Sequence, residues 1–532
     1  MIRHTAPRTN LAAALFDMDG VVTDTAKAHA GAWKRLFDEY LRRRADHLGE
    51  AFTPFDPRSD YRRYVDGKPR SDGIRSFLDS RGIELPDGDE SDGPDAETVC
   101  GLGKRKDHYF HEWLDANPVH AYPGTLKLLG ALRAAGISTA VFSSSRNARA
   151  VLLSAGVLER FDVRVDGEDR ARLRMPGKPE PDMLLEAVRL LGAAPGDSAV
   201  FEDAIAGVQA ASKGGFGLVI GVARANGGED LEKAGADLVV HDLSELRFSP
   251  DTGLTVKTLA NLPCAWDRKD EIRARLADRT PTVFLDYDGT LTPIVEDHDK
   301  AFLSESMRTT VAALARCCTV VIVSGRDLGK LRDLVDLDSV WYAGSHGFEI
   351  VGPKGSDEGL EMGAEFLSEL DDTERALADR LADIRGHALE RKKFSIAVHY
   401  RRVSDDDLER LEDVVDGILG EHPRLYRGRG KKVFELRPDI EWNKGRAVSW
   451  ILERISNQSS DTFVPIYVGD DITDEDAFHT LTGHGVCLAV RHEEMRQSAA
   501  DYTLSDTQDV KRFLQWLSQI TADPDATEGS GQ

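Results

Sequence analysis

Short apolar runs alternate with stretches of helical periodicity along most of this chain, and two of the runs end in the same polar phrase. Thr282-Val283-Phe284-Leu285 leads into Asp286-Tyr287-Asp288-Gly289, and Ala14-Leu15-Phe16 leads into Asp17-Met18-Asp19-Gly20. Runs this short and this apolar predict strands buried on both faces, as in a parallel sheet. In the first half, Ala32, Trp33, Leu36, Phe37, Tyr40 and Leu41 recur at helical spacing, and helical pattern continues to about residue 120. Helices over 125–135, 148–155, 181–191 and 206–213 then separate strands over 138–142, 161–165, 198–202, 218–222 and 238–240. Such alternation predicts a parallel sheet with helices on both faces. The helical stretch over about 26–120 becomes a cap inserted after the first strand.

The second half departs from this order. A helix over 304–315, a strand over 319–323 and a further apolar run at 340–343 precede the insert, which spans about 350–440. Strands over 394–400 and 432–437, with helices over 373–385 and 405–419, predict an α/β cap with an open sheet. The core resumes with a helix from 443 to about 455 and a strand over 465–468. We therefore expect domains at 1–250 and 280–520, a linker at 251–279 and a disordered acidic tail at 521–532. Trp266 in the linker is expected to pack against one domain.

Composition narrows the function. In 532 residues the formal net charge is −24, with 41% hydrophobic and 30% charged residues. No basic footprint exists for a nucleic-acid partner, and no run is long enough to cross a bilayer. Five scattered cysteines without a C-x-x-C pair suit free thiols in a reducing cytoplasm. The acidic, turn-rich stretch 84–97 reads as a solvated loop.

Period-2 geometry puts the two aspartates of each phrase on one face at the carboxyl end of a strand, where open α/β sheets bind ligands. Two converging carboxylates call for a cation, and oxygen-only ligands suit Mg²⁺. A carboxylate can also accept a phosphoryl group. Further polar clusters close later strands or precede helices: Ser143-Ser144-Ser145, Lys178 and Glu202-Asp203 in the first half; Ser324-Gly325-Arg326, Asn443-Lys444-Gly445 and Gly469-Asp470-Asp471 in the second. Acceptor, hydroxyl, ammonium and metal carboxylates together are the parts phosphoryl transfer requires.

On these motifs the chain resembles the haloacid dehalogenase superfamily, twice over, which implies two Rossmann-like α/β cores. The first half, over about 10–245, is similar to the β-phosphoglucomutases. The resemblance implies Asp17 as nucleophile, Asp19 as general acid and base, Ser143 and Lys178 on phosphate, and Mg²⁺ held by Asp17, Asp19, Glu202 and Asp203. It further implies His29 and Lys106 coupling cap closure to Asp19, and Arg70 binding the distal phosphate of a bisphosphate. Its substrates would be β-glucose 1-phosphate and glucose 1,6-bisphosphate.

The second half, over about 280–518, resembles the trehalose-6-phosphate phosphatases, including Gly344-Ser345-His346-Gly347 and His399-Tyr400-Arg401. This implies Asp286 as nucleophile and Asp288 as acid, then base. Ser324 and Lys444 would hold phosphate, and Mg²⁺ would lie on Asp286, Asp288 (through its carbonyl) and Asp470, with Asp471 and Asp474 binding or orienting it. Ser345, His346, Glu390, Lys392, Lys431 and Glu435 would bind trehalose 6-phosphate. Two alternatives stay open: another sugar phosphate such as sucrose phosphate, and a first half that is a non-catalytic regulatory or scaffold module.

Overall fold

In a computed structural model describing residues 11–57, 59–224, 228–277, 279–295, 301–430, 432–440, 442–458, 462–492 and 495–522, the first apolar run is a central strand. This is β1 (Ala13–Asp17), buried at every position. It is followed by β2 (Ser138–Phe142), β3 (Val163–Val165), β4 (Ser198–Glu202), β5 (Leu218–Val222) and β6 (Leu238–Val240). They pair in parallel in the order 3-2-1-4-5-6. One face packs Phe16, Val141 and Phe201 with Leu128 and Leu132. The other packs Leu15, Phe142 and Val200 with Leu184 and Val188. Period-2 alternation sends neighbouring residues of each strand to opposite cores, so the strands are apolar throughout. A hairpin, β7 (Leu246–Ser249) and β8 (Gly253–Val256), closes this compact unit, Met1–Lys257.

Between β1 and β2 lie α1 (Ala26–Leu48), α2 (Arg70–Ser80) and α3 (Val99–Ala116). They share a separate core in which Trp33, Leu36 and Phe37 of α1 meet Phe55, Phe77 of α2 and Leu102 of α3.

The second unit, Thr258–Gln532, repeats the plan around β9 (Thr280–Asp286). Its strands continue as β10 (Thr319–Val323), β11 (Trp341–Gly344), β12 (Glu349–Val351), β13 (Gly359–Glu361), β14 (Ala388–Lys392), β15 (Ser395–His399), β16 (Leu425–Gly430), β17 (Val433–Pro438), β18 (Phe463–Gly469), β19 (Val486–Val490) and β20 (Tyr502–Leu504). The main sheet runs 13-12-11-10-9-18-19-20, parallel from β11 to β20, with β12 and β13 antiparallel at one edge. A second sheet, 14-15-17-16, is wholly antiparallel. Helices Leu367–Arg380 and Asp405–Glu421 cover it, and Leu370, Leu377, Leu411 and Val415 meet Ile396, Val398, Phe434 and Leu436.

Several boundaries differ from the sequence reading. The third strand begins at Val163, and the insert strand begins at Val433 because Lys432 turns with φ 64°. The stretch expected as a linker, 251–279, is divided. Residues up to 256 belong to the hairpin of the first unit, whereas Leu259, Leu262, Ala265 and Ile272 are buried in cores of the second. Trp266 packs its ring near Phe513 and Trp516, and its Nε1–H donates to Asp509 Oδ1 at 2.7 Å. The final helix, Thr507–Ala522, extends into the stretch expected as a tail; residues 523–532 lie outside the described residues. No helix among the described residues is long and apolar enough to cross a membrane.

Candidate active sites

Register builds both sites in the same way. Asp17 stands opposite Phe142 and Asp286 opposite Val323, so Ser143 and Ser324 are the first residues past the neighbouring strand. Each serine hydroxyl accepts a backbone N–H two residues on, from Ser145 and Arg326, both at 3.1 Å. Accepting that N–H leaves each hydroxyl its own hydrogen to donate.

In the first unit Lys178 is buried and donates to Asp17 Oδ1 at 2.5 Å and to Glu202 Oε2 at 2.7 Å. Asp17, Glu202 and Asp203 bring carboxylate oxygens within 4.8 Å of one another. Burial, with Glu202 beside it, pushes the Asp17 carboxyl well above its ordinary value despite Lys178. Asp203 is raised too, by burial and by Asp66 and Asp17.

The second unit matches this arrangement with different residues. Lys444 donates to Asp286 Oδ1 and to Asp474 Oδ1, both at 2.7 Å. Asp286, Asp470 and Asp474 form the carboxylate group, again within 4.8 Å. Asp474 is fully enclosed: Tyr467 donates its hydroxyl at 2.7 Å, and the N–H groups of Asp470 and Asp471 donate to Oδ2 at 3.0 Å. Burial raises Asp286 against the pull of Lys444, and burial with Asp474 and Asp471 lifts Asp470 to about 8. Asp470 Oδ1 is buried without a hydrogen-bond partner. Lys444 and a His492 Nε2 3.4 Å from Asp470 Oδ2 still leave one carboxylate oxygen orphaned, and such an all-oxygen set fits a hard divalent cation such as Mg²⁺.

The motif glycines keep these groups close. Gly20 and Gly289 have φ of +80° and +83°; a Cβ there would stand 1.7 Å from Asp203 Oδ2 and 2.2 Å from Asp470 Oδ2. Only glycine permits both the left-handed turn and the approach of the carboxylate.

The second aspartates are held differently. Asp19 accepts from the Thr25 hydroxyl, lies 3.3 Å from His29 Nε2, and accepts a long bond from Ser143 at 3.4 Å. Lys106 Nζ is 2.6 Å from His29 Nδ1. Burial opposes ionisation of Asp19, but His29, Thr25 and Lys106 outweigh it and lower its pKa. Burial, with Arg70 nearby, brings Lys106 down to about 7. Asp288 is instead gripped by Arg326, whose Nε and Nη2 donate at 2.8 and 2.6 Å.

The inserts bring further candidates to each site. A cavity of about 490 Å³ in the first unit is lined by Asp17, Asp19, Ser143 and Lys178 of the core, and by Lys68 and Arg70 of the insert. Arg70 is paired with Asp107 at 2.5 Å. In the second unit Glu435 collects the Ser395 hydroxyl at 2.9 Å, Lys392 at 3.5 Å, His346 at 3.8 Å and a bond from Arg437. Ser345 donates towards Asp327 and Glu349, at 3.2 and 3.3 Å.

Not every candidate converges. The carboxylates of Asp19 and Asp288 lie outside the two metal-type groups, and Asp471 is exposed, its side chain accepting the Ile472 N–H at 2.7 Å. Glu390 pairs with His399 at 3.0 Å. Lys431 lies outside the described residues. Conversely, Arg326, Arg437, Tyr467 and Asp66 belong to these sites without having been given roles from the sequence. Asp66 lines the first cavity and is lifted to about 7 by burial and Glu202. Tyr467 carried one signal: a tyrosine in an apolar strand must find a partner for its hydroxyl.

Comparison with known proteins gives two family matches, a haloacid dehalogenase-like hydrolase over residues 11–215 and a trehalose-phosphatase over residues 284–508. A β-phosphoglucomutase of Mycobacterium bovis is 50% identical over 238 residues, covering 44% of this chain and 90% of that protein. A trehalose-phosphate phosphatase of Mycobacterium leprae is 36% identical over 415 residues, covering 75% of this chain and 93% of that protein. A Mycobacterium tuberculosis protein named as an uncharacterized glycosyl hydrolase is 39% identical over 510 residues, 95% of this chain. This chain spans only 38% of that relative's length.

Proposed function

This chain belongs to the haloacid dehalogenase-like hydrolases, joining a β-phosphoglucomutase-like unit to a trehalose-phosphatase unit, and from that premise we propose that the second unit hydrolyses trehalose 6-phosphate through an aspartyl-phosphate. The observation that carries the chemistry is Asp286 at the end of β9, bridged by the buried Lys444 and facing Asp470. A carboxylate so placed can attack phosphorus in line while Lys444 and Ser324 hold the phosphoryl oxygens. The bond from phosphorus to the sugar oxygen breaks, and Asp288 gives that oxygen its proton. Asp288 then takes a proton from the water that attacks phosphorus, releasing phosphate and restoring Asp286. Asp286, the Asp288 carbonyl and Asp470 would hold Mg²⁺, with Asp474 behind them; the ion would screen the charge of the phosphate dianion.

The antiparallel insert sheet serves as the cap in this reading. Glu435 and Lys392 on it, with Ser345 and His346 from the core, bind the sugar and its ester; Glu390, Lys431 and Asp471 have subordinate or outer roles. The insert carries its own hydrophobic core, which supports movement as one piece.

For the first unit we propose phosphoryl transfer on a hexose phosphate, from β-glucose 1-phosphate by way of glucose 1,6-bisphosphate. Asp17 is the acceptor and Asp19 the acid and base; Asp17, Glu202 and Asp203, with Asp19, would hold Mg²⁺, which would screen the charge of the phosphate. Ser143 and Lys178 bind phosphate, Arg70 the distal phosphate, and His29 with Lys106 tie the α1–α3 cap to Asp19. The five free thiols support a cytoplasmic setting.

Phosphate release measured across a panel of sugar phosphates, with Mg²⁺ and with chelator, tests both assignments on the full chain. Trehalose 6-phosphate is expected to be the preferred ester; preference for sucrose phosphate would overturn the substrate assignment and leave the chemistry standing.

A further inference from the structure

His346 sits in the middle of three residues with left-handed backbone: Ser345 at φ 51°, His346 at 58° and Gly347 at 91°. Two non-glycine residues in that region need outside support. They have it. Ser345 N–H donates to Arg326 O at 2.7 Å, His346 N–H to Ser324 O at 2.8 Å, and Trp442 Nε1–H to Gly347 O at 2.7 Å. The imidazole lies over Gly325, where an added Cβ would stand 2.6 Å from both Cε1 and Nε2. The ring is thus fixed to the loop that carries Ser324.

Its remaining freedom is the placement of one hydrogen. Arg437 Nη2 is 2.8 Å from His346 Nε2, and a guanidinium has only donors to offer. Nε2 must therefore present a lone pair, which leaves the hydrogen of a neutral ring on Nδ1. Nδ1 is buried and has no hydrogen-bond partner. Burial and the neighbouring Arg437 bring the ring's pKa down to about 4 although Glu435 pulls the other way, so the neutral form is the relevant one. Glu435 in turn fixes Arg437 through its own bond to Nη2.

We infer that Arg437 is a positioning residue that locks His346 in the Nδ1–H tautomer, so that one buried neutral donor is kept for an acceptor oxygen on the sugar part of the substrate. The sugar assignment rests on the function proposed above; the lock itself does not. Anionic oxygens already have Lys444 and Ser324, whereas a neutral N–H on a ring whose other nitrogen lies 3.8 Å from Glu435 Oε1 suits a hydroxyl or ring oxygen.

The test uses the full chain with ¹⁵N-labelled histidine, the His346 signals being identified by their loss in His346→Gln. At pH 7 the expected pattern is protonated Nδ1 and bare Nε2, and Arg437→Lys, which cannot hold Glu435 and Nε2 together in the same plane, should shift the ring towards Nε2–H. The same variant should raise KM for trehalose 6-phosphate about tenfold and lower turnover of p-nitrophenyl phosphate by a smaller factor. Arg437→Gln, which keeps an N–H donor without the charge, should fall between the two if Arg437→Lys does not fold. An Nε2–H ring in the native chain, a tautomer untouched by either variant, or equal losses on both esters would each overturn the lock. If the native chain cleaves p-nitrophenyl phosphate but not trehalose 6-phosphate, the substrate assignment fails and the nitrogen signals still decide the tautomer.

Discussion

The two units write the same phrase, Asp-x-Asp-Gly, at the same point of the same kind of sheet, yet hand its second aspartate to opposite partners. Asp19 meets Thr25, His29 and, behind His29, a Lys106 brought down to about 7 by burial. Asp288 meets a permanently charged guanidinium through two bonds, at 2.8 and 2.6 Å. The cause is topological. In the first unit the insert leaves directly after β1, so α1 starts beside the site, with Thr25 just before it and His29 in its first turn. In the second the insert leaves only after β13, the next helix among the described residues starts at Glu305, and the phosphate loop itself sends Arg326 across. Where the insert enters the core therefore decides whether the acid answers to the insert or to the core. A transferase that must return the phosphoryl group without losing it to water gains from an acid tied to its moving piece; a hydrolase, which needs water, does not require that tie.

The sharpest way to break the comparison is to remove one nucleophile at a time. Asp286→Asn should lower release of phosphate from trehalose 6-phosphate by about 10⁴-fold or more, and Asp17→Asn should leave it unchanged. Conversion of β-glucose 1-phosphate to glucose 6-phosphate should show the reverse dependence. A first unit that shows no turnover in the native chain would be a regulatory or scaffold module carrying a complete set of core acids. A loss of phosphatase activity in Asp17→Asn would instead mean that the two sites do not work independently.

The parts of this picture that could be read from the sequence are those with short range. β1 and β9 are apolar runs ending in acids, Ser143 and Ser324 lie just past strands and Lys444 at a helix start, so their convergence follows from parallel topology, while Lys178 lies in the turn that leads to the helix at Asp182. The edge strands were harder. β14 reads Ala-Leu-Glu-Arg-Lys and β16 reads Leu-Tyr-Arg-Gly-Arg-Gly, too charged and too rich in glycine to signal strands before their pairing with β15 and β17 is known. Arg326 and Arg437 were invisible as partners for another reason: each acts on a residue 38 or 91 positions away, Asp288 and His346, and nothing in local spacing encodes such a contact.

Next in size are the buried lysines, which sharpen the likeness of the two units. Lys178 and Lys444 each bridge two enclosed carboxylates, so replacing either by Met should cost about 3–5 kcal/mol in the unit that carries it, because breaking a buried ion pair strands the remaining charge. Urea unfolding followed separately for each unit would measure this. In Lys444→Met/Asp474→Asn most of the loss should return, since one uncompensated carboxylate has gone. Equal loss in the double variant would mean that Lys444 matters through packing and not charge.

A smaller effect bears directly on the difference between the units. Arg326→Lys keeps a cation beside Asp288 but gives up the two-pronged hold, and should lower kcat for trehalose 6-phosphate about tenfold with little change in KM. His29→Gln in the first unit should lower hexose phosphate turnover and, if the α1–α3 insert governs Asp19 as argued, should also weaken the response to substrate concentration. A change confined to kcat in both would erase the distinction between an acid held by the core and one held by the insert.

The smallest effect is a matter of stability and pH. Asp470 has its pKa lifted to about 8 by burial and by Asp474 and Asp471, whereas an unfolded aspartate sits near 3.8. Between those two values the folded chain holds a proton the unfolded chain has released, so stability present below about pH 4 is lost as pH rises through 8. In chelator, Asp470→Asn should therefore raise the melting temperature of the second unit by about 2–4 °C at pH 8.5 and leave it unchanged at pH 5, where the native carboxyl is already neutral. Mg²⁺ should restore the native chain at pH 8.5 and do nothing for the variant, since a bound cation offsets the cost of the ionised carboxylate. Asp203→Asn offers the same measurement on the first unit, where burial and Asp66 also raise the carboxyl. Equal behaviour of the two variants would show that the units share their metal chemistry and differ only in how each holds its acid.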